Sequence, residues 1–92
     1  MPRETLPDIS SRQLLAVVAV AQYRSFIAAA TALRMSQPAI TRIIKQVEGV
    51  LGAPLFVRST RQVSVTEFGK EFSALAERLV NDLKINLSIC AA

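Results

Sequence analysis

The stretch SQPAITRIIKQVE, residues 36–48, interleaves the polar side chains Gln37, Thr41, Arg42 and Lys45 with Ile40, Ile43, Ile44 and Val47. At helical spacing the aliphatic residues share one face and the polar ones the other. The polar set matches the chemistry of base edges. Gln can pair bidentately with adenine and Arg with guanine, while a Thr methyl or hydroxyl can meet a thymine methyl or a polar edge. Each good bidentate contact gives ~1–3 kcal/mol of base discrimination. Gln37 and Arg42 are therefore the main candidates for base contact, although Arg42 could equally hold a phosphate. Pro38 and Thr41 suit close apolar or shape contacts. Ser36, Lys45 and the start of the helix suit a phosphate, because a helix N-terminus offers free N–H groups to an anion. The same polar groups could also form an ordinary solvated surface.

These residues need elements to position them. Ser36 can cap a helix over residues 37–51, with Pro38 in the first turn, where its missing N–H costs nothing. Ile40, Ile43, Ile44, Val47 and Leu51 form its inward stripe, Gly52 suits the C′ position, and Pro54 prevents continuation. Gly49 inside this helix is unfavourable by roughly 1 kcal/mol relative to Ala, and close packing is the one reason the sequence offers for it. Ser25 caps a preceding helix, FIAAATAL, in which Phe26, Ala29, Ala30 and Leu33 share a face. Its alanines would let a second helix approach closely. Ala30 near the end of one helix, Arg34 and Met35 in the break, then Ile40 and Ile43 give the spacing of a helix-turn-helix. Such a pair turns its second helix outward, N-terminal residues leading.

The flanking segments are equally readable. Residues 1–8 carry two prolines and read as a loose tail. A first helix is expected over residues 11–23, capped by Ser10 or Ser11. Its middle, LLAVVAVA, has no polar face and must be covered on more than one side, either by its own domain alone or by the domain and a partner subunit. LFVR and QVSV read as two short strands joined by a loop longer than two residues, because no Gly or Asn is present for a tight primed turn. The tip supplies Arg58, Ser59, Thr60 and Arg61, which suit a DNA backbone or a narrow minor groove. Arg58 could instead be structural, paired with an acid such as Glu48. Thr66 caps a long final helix to about residue 89, on which Phe68, Phe72, Leu75, Leu79, Leu83 and Leu87 form an apolar stripe with Ala76 and Val80 beside it. At ~1.5 Å per residue it exceeds 30 Å, so part of the stripe should meet another chain.

Composition narrows the function classes. With 92 residues the chain is one domain of modest core, and its 51% apolar content argues for a second chain covering some of that surface. A net charge of +4 favours an anionic partner. The chain has no His and one Cys, Cys90, which removes internal disulfides, most metal sites and His-based nucleophilic catalysis, and fits a reducing cytoplasm. No clustered carboxylates, Gly-rich phosphate loop or activated nucleophile is present, so no enzyme, cofactor or metal is expected. The longest apolar run, residues 14–21, is far short of a bilayer span, and residues 1–13 contain no apolar signal region, so no membrane partner is expected.

Taken together, SF followed by AA and L, then SQPAIT, VE, LG, PLF, Arg58, and finally Thr66 and Gly69, resemble the N-terminal DNA-binding domain of LysR-type transcriptional regulators. The likeness covers residues 11–89. It implies a mainly α fold: a winged helix-turn-helix of three helices and a short β-hairpin over residues 9–65, then a linker and dimerisation helix over 66–92. It implies homodimers on partly palindromic, AT-rich promoter DNA, with the helix at 37–51 in the major groove and the wing at 58–62 on backbone or minor groove. Gln37, Pro38, Thr41 and Arg42 fall where the family reads bases. Ser36, Arg58 and Arg61 fall where it grips backbone or minor groove. The homodimer would use the first helix, through Leu15 and Val18, and the linker helix, through Phe72, Leu75, Leu79, Leu83 and Leu87. Three departures stand out. Arg24 replaces a frequent Gly, so the turn into the second helix should be strained or longer. Ala16 and Val17 stand where aromatics are common. The family's larger sensing domain is absent, so the chain is expected to be an excised or truncated DNA-binding fragment. The rival expectation is a protein-interaction module whose basic face only solubilises it.

Overall fold

The computed structural model describes residues 9–58 and 62–91, with side chains described as far as residue 82. Four helices and a hairpin follow in the order α1 (Ser11–Tyr23), α2 (Phe26–Leu33), α3 (Gln37–Leu51), β1 (Phe56–Arg58), β2 (Val63–Val65) and α4 (Glu67–Ala91). Local chemistry accounts for each boundary. Ser10 and Gln13 form a capping box at α1: the Ser10 hydroxyl accepts the Gln13 N–H at 3.2 Å, and Gln13 Oε1 accepts the Ser10 N–H at 2.8 Å. Ser25 caps α2 through the Ala28 N–H, and Ser36 caps α3 through the Ala39 N–H.

The helix ends share one backbone device. Arg24, Arg34 and Gly52 close α1, α2 and α3 in the left-handed conformation, with φ of 51°, 57° and 78°. Only the last is a glycine, and each arginine meets a steric penalty of about 1 kcal/mol there. The turn at Arg24 is strained as its side chain predicts, but not lengthened: Ser25 follows directly as the next cap.

Ala29 and Ala30 are buried where α2 meets its neighbours, and small side chains at that point permit close approach. Val17, Val20, Ile40, Val47 and Leu55 fill the centre of the core. α4 packs along α1 and supplies much of the second cover that the apolar middle of α1 requires. Ala16, Val17, Ala19 and Val20 are buried, and Leu15 and Val18 keep partial exposure.

β1 and β2 pair antiparallel, Phe56 opposite Val65 and Arg58 opposite Val63, which leaves residues 59–62 to join them. The root of this hairpin is tied at two points. Glu48 accepts the Leu55 N–H at 2.7 Å and the Phe56 N–H at 3.3 Å, anchoring the start of β1 to α3. Thr66 donates its hydroxyl to the Pro54 carbonyl at 2.8 Å, its N–H to the Leu55 carbonyl at 3.0 Å, and accepts the Gly69 N–H at 2.9 Å. Gly69 sits so close to this joint that an added Cβ would collide with the Leu55 carbonyl oxygen. Gly49 has no such reason: nothing lies within 4 Å of an added Cβ, so the close packing expected there is absent.

The apolar stripe of α4 divides between the core and the surface. Gly69, Ala76 and Val80 face inward and are buried, with Phe72 packing partly against the core. Phe68, Leu75 and Leu79, expected on the same continuous stripe, are 37%, 43% and 47% exposed.

Candidate nucleic-acid interface

α3 resolves its interleaved sequence into two faces. Ile40, Ile44 and Val47 are buried, and Ile43 and Leu51 pack partly against them. On the other side Gln37, Pro38, Arg42 and Lys45 are exposed and Thr41 is half-buried. These five and Gln46 border an open groove of about 630 Å³. The structure thus brings together all four residues expected to meet bases, with Lys45 beside them. Arg42 and Lys45 have no carboxylate partner among the described residues, where Lys70–Glu67 on α4 is the only ion pair. Neither side chain is tied down by an ion pair, so both are available to an anion.

Ser36 lies at the tip of α3, but its hydroxyl oxygen already accepts the Ala39 N–H at 3.2 Å. Pro38 has no N–H, Ala39 is engaged by Ser36 and Ile40 bonds the Ser36 carbonyl, so an anion at this end would meet the Gln37 N–H and the Ser36 hydroxyl proton. Gln46 was not among the residues singled out from the sequence. It lies one helical turn beyond Arg42, so spacing alone was enough to find it. Its amide oxygen lies 3.4 Å from Gln13 Nε2, which joins the far end of the polar face to α1.

Arg58 is held within the fold, though not by the acid offered as its structural alternative. It does not pair with Glu48, whose carboxylate is engaged by the Leu55 and Phe56 amides. Its guanidinium carbon instead lies 3.9 Å from the centroid of the Phe26 ring, and Nη2 donates to the Thr41 hydroxyl at 3.0 Å. Phe26 is itself packed edge-on against Phe56, with ring centroids 6.2 Å apart. A cation over an aromatic face at an exposed site contributes about 0.5–1 kcal/mol. Arg58 therefore links wing, α2 and α3. The expected wing contacts Ser59, Thr60 and Arg61 lie outside the described residues.

The expected subunit contacts are spread over two elements. Leu15 and Val18 of α1 are half-buried, Phe72 is largely engaged by its own core, and Leu75 and Leu79 are exposed. The side chains of Leu83 and Leu87 lie outside the described residues. Among those residues no helix is long and apolar enough to cross a membrane.

Comparison with known proteins places this arrangement. Residues 11–70 match the profile of the bacterial regulatory helix-turn-helix protein, lysR family. The chain is 38% identical over 79 residues to the transcriptional regulator CfxR of Cupriavidus necator, covering 86% of this chain and 25% of that protein. It is 37% identical over 83 residues to the regulator PgrR of Escherichia coli, covering 90% and 26% respectively. The chain thus spans about a quarter of the length of these relatives. Among solved structures, the BenM_DBD/catB site 1 DNA complex superposes with a TM-score of 0.87 at 32% identity, covering 90% of this chain and 92% of that one. The CbnR_DBD–DNA complex gives 0.84 at 34% identity, covering 90% and 95%. The matched segment contains both helices of the turn, the hairpin and the joint at Thr66 and Gly69. On sequence and on shape, the chain belongs to the lysR family of bacterial regulatory helix-turn-helix proteins.

Proposed function

We propose that the chain is the DNA-reading part of a LysR-type transcriptional regulator and binds double-stranded DNA sequence-specifically as a homodimer. One observation carries the reading: the outward face of α3 gathers Gln37, Thr41, Arg42 and Lys45 around an open groove, while its isoleucines are anchored in the core. That leaves side chains with base-edge chemistry projecting from a rigid helix. The likeness to domains solved in DNA complexes supports the same partner. Gln37, Pro38, Thr41 and Arg42 meet bases in the major groove. Ser36, Lys45 and the wing residues Ser59, Thr60 and Arg61 serve backbone or minor groove. The homodimer forms through α1 and α4, and with DNA as partner the protein acts in the cytoplasm as a binding protein rather than an enzyme.

Selection of duplexes from a random pool, followed by a competition gel shift against a scrambled duplex, tests this. The selected duplex should win, and affinity should fall steeply with salt if each subunit engages ~3–5 phosphates. Equal competition by the scrambled duplex would favour a second reading, for which the exposed Phe68, Leu75 and Leu79 speak. In that reading α1 and α4 mediate assembly, and the basic face only solubilises the chain.

A further inference from the structure

We infer that Arg58 is a positioning residue for base recognition, acting through Thr41 rather than on DNA directly; the inference rests on the DNA-binding reading above. Two contacts hold it. Its guanidinium lies over the Phe26 ring at 3.9 Å, and Nη2 donates to the Thr41 hydroxyl oxygen at 3.0 Å. Phe26 is buried and braced by Phe56, so the platform beneath the guanidinium is fixed.

The consequence lies in the polarity of Thr41. A hydroxyl has one proton to give and lone pairs to receive with. Arginine has no acceptor, so the bond to Arg58 can run only one way. It fills one of the two lone pairs of the Thr41 oxygen, and the guanidinium charge beside it makes the hydroxyl a stronger donor and a poorer acceptor for a second N–H; no acceptor among the described residues holds the hydroxyl proton. Thr41, which lines the groove, is therefore left with a proton to donate and a methyl group beside it. In the major groove, thymine presents an acceptor, O4, beside a C5-methyl group, whereas cytosine presents the N4 amino donor. Arg58 thus biases Thr41 toward thymine over cytosine. Without Arg58 the hydroxyl accepts from N4 as readily as it donates to O4, and the distinction fades.

The test uses the 92-residue chain and duplexes selected from a random pool. Each thymine of the selected site is replaced in turn by 5-methylcytosine, which keeps the methyl group and exchanges the acceptor for a donor. At one position the wild-type chain should lose roughly 5- to 150-fold in affinity, the span of a well-made base contact. Thr41→Val should abolish that penalty at the same position. Arg58→Met, which keeps an apolar stem over Phe26, should abolish it too while leaving the salt slope unchanged. In the free wild-type chain, the Arg58 side-chain protons should show upfield ring-current shifts in NMR spectra.

Several outcomes would overturn the assignment. One is a salt slope that falls by about 1 in Arg58→Met with the penalty intact, the mark of a phosphate contact. Another is a penalty that survives Thr41→Val at every position, which decides the matter even if Arg58→Met does not fold. Unshifted Arg58 protons in a chain that does select a sequence would refute the latch alone. Failure of the wild-type chain to select any sequence would remove the DNA-binding reading and this assignment with it.

Discussion

α3 and α4 each bury one face and expose the other, yet their exposed faces are opposite in character. α3 turns Gln37, Arg42, Lys45 and Gln46 outward. α4 turns Phe68, Leu75 and Leu79 outward, next to charged neighbours such as Glu71 and Arg78. A face of polar and charged side-chain groups can stand in water indefinitely, whereas a line of exposed large apolar side chains on a long helix calls for cover by another surface. One helix thus carries the chemistry for a hydrated, anionic ligand and the other the chemistry for a second protein face.

The largest effect that could break this contrast is on α4. Leu75→Ser with Leu79→Ser should leave the helical spectrum nearly unchanged, because neither side chain belongs to the core, while the melting temperature falls toward that of the free monomer. Self-association should weaken by about 3–6 kcal/mol, because four leucines change in a homodimer and each has roughly half of its side chain left to bury, and sedimentation would show it. Unchanged association would mean that this face is not where the subunits meet. Gly69→Ala sharpens the contrast from the inner face. The collision with the Leu55 carbonyl should destabilise the fold by about 1–3 kcal/mol in urea titration, despite alanine's better helix propensity.

On α3 the expected effects concern binding rather than folding. Arg42→Ala should relax base preference by about 1–3 kcal/mol at one position, read by gel shift on single-base variants, without lowering the melting temperature. Lys45→Ala should weaken all sequences alike and lower the salt slope by about 1. The smallest effects are stabilising. Gly49→Ala, with open space around the new methyl, and Arg24→Gly, which relieves a left-handed side chain, should each add about 0.5–1 kcal/mol in thermal unfolding.

Much of this architecture was legible because local chemistry dictates it. Ser25 and Ser36 cap where their positions suggest, Pro38 falls in a first turn, Gly52 ends α3, and both faces of α3 follow from a 3.6-residue period. On α4 the pattern marks an apolar stripe but not which part of it faces the core. Its bulky Phe68, Leu75 and Leu79 outweigh its small Gly69 and Ala76 on any hydrophobic scale, but a helix lying close against α1 and the hairpin root admits the small ones. Side-chain partners were harder still. Charge suggested Glu48 for Arg58, yet the carboxylate serves two backbone amides and the guanidinium finds an aromatic face and a hydroxyl. Those partners are distant in sequence and show no periodicity, so nothing short of the folded chain reveals them.

The joint at Thr66 and Gly69 gives the long helix the properties of a lever. It is pinned at its base to the same Pro54–Leu55 segment from which the hairpin springs, by one hydroxyl and by the absence of one methyl group. With 25 residues rising ~1.5 Å each, a tilt of five degrees at the fulcrum carries the far tip roughly 3 Å. In any pair of chains clasped along that arm, the distance between the two reading helices is set at the hinge pin, far from the place where the chains touch.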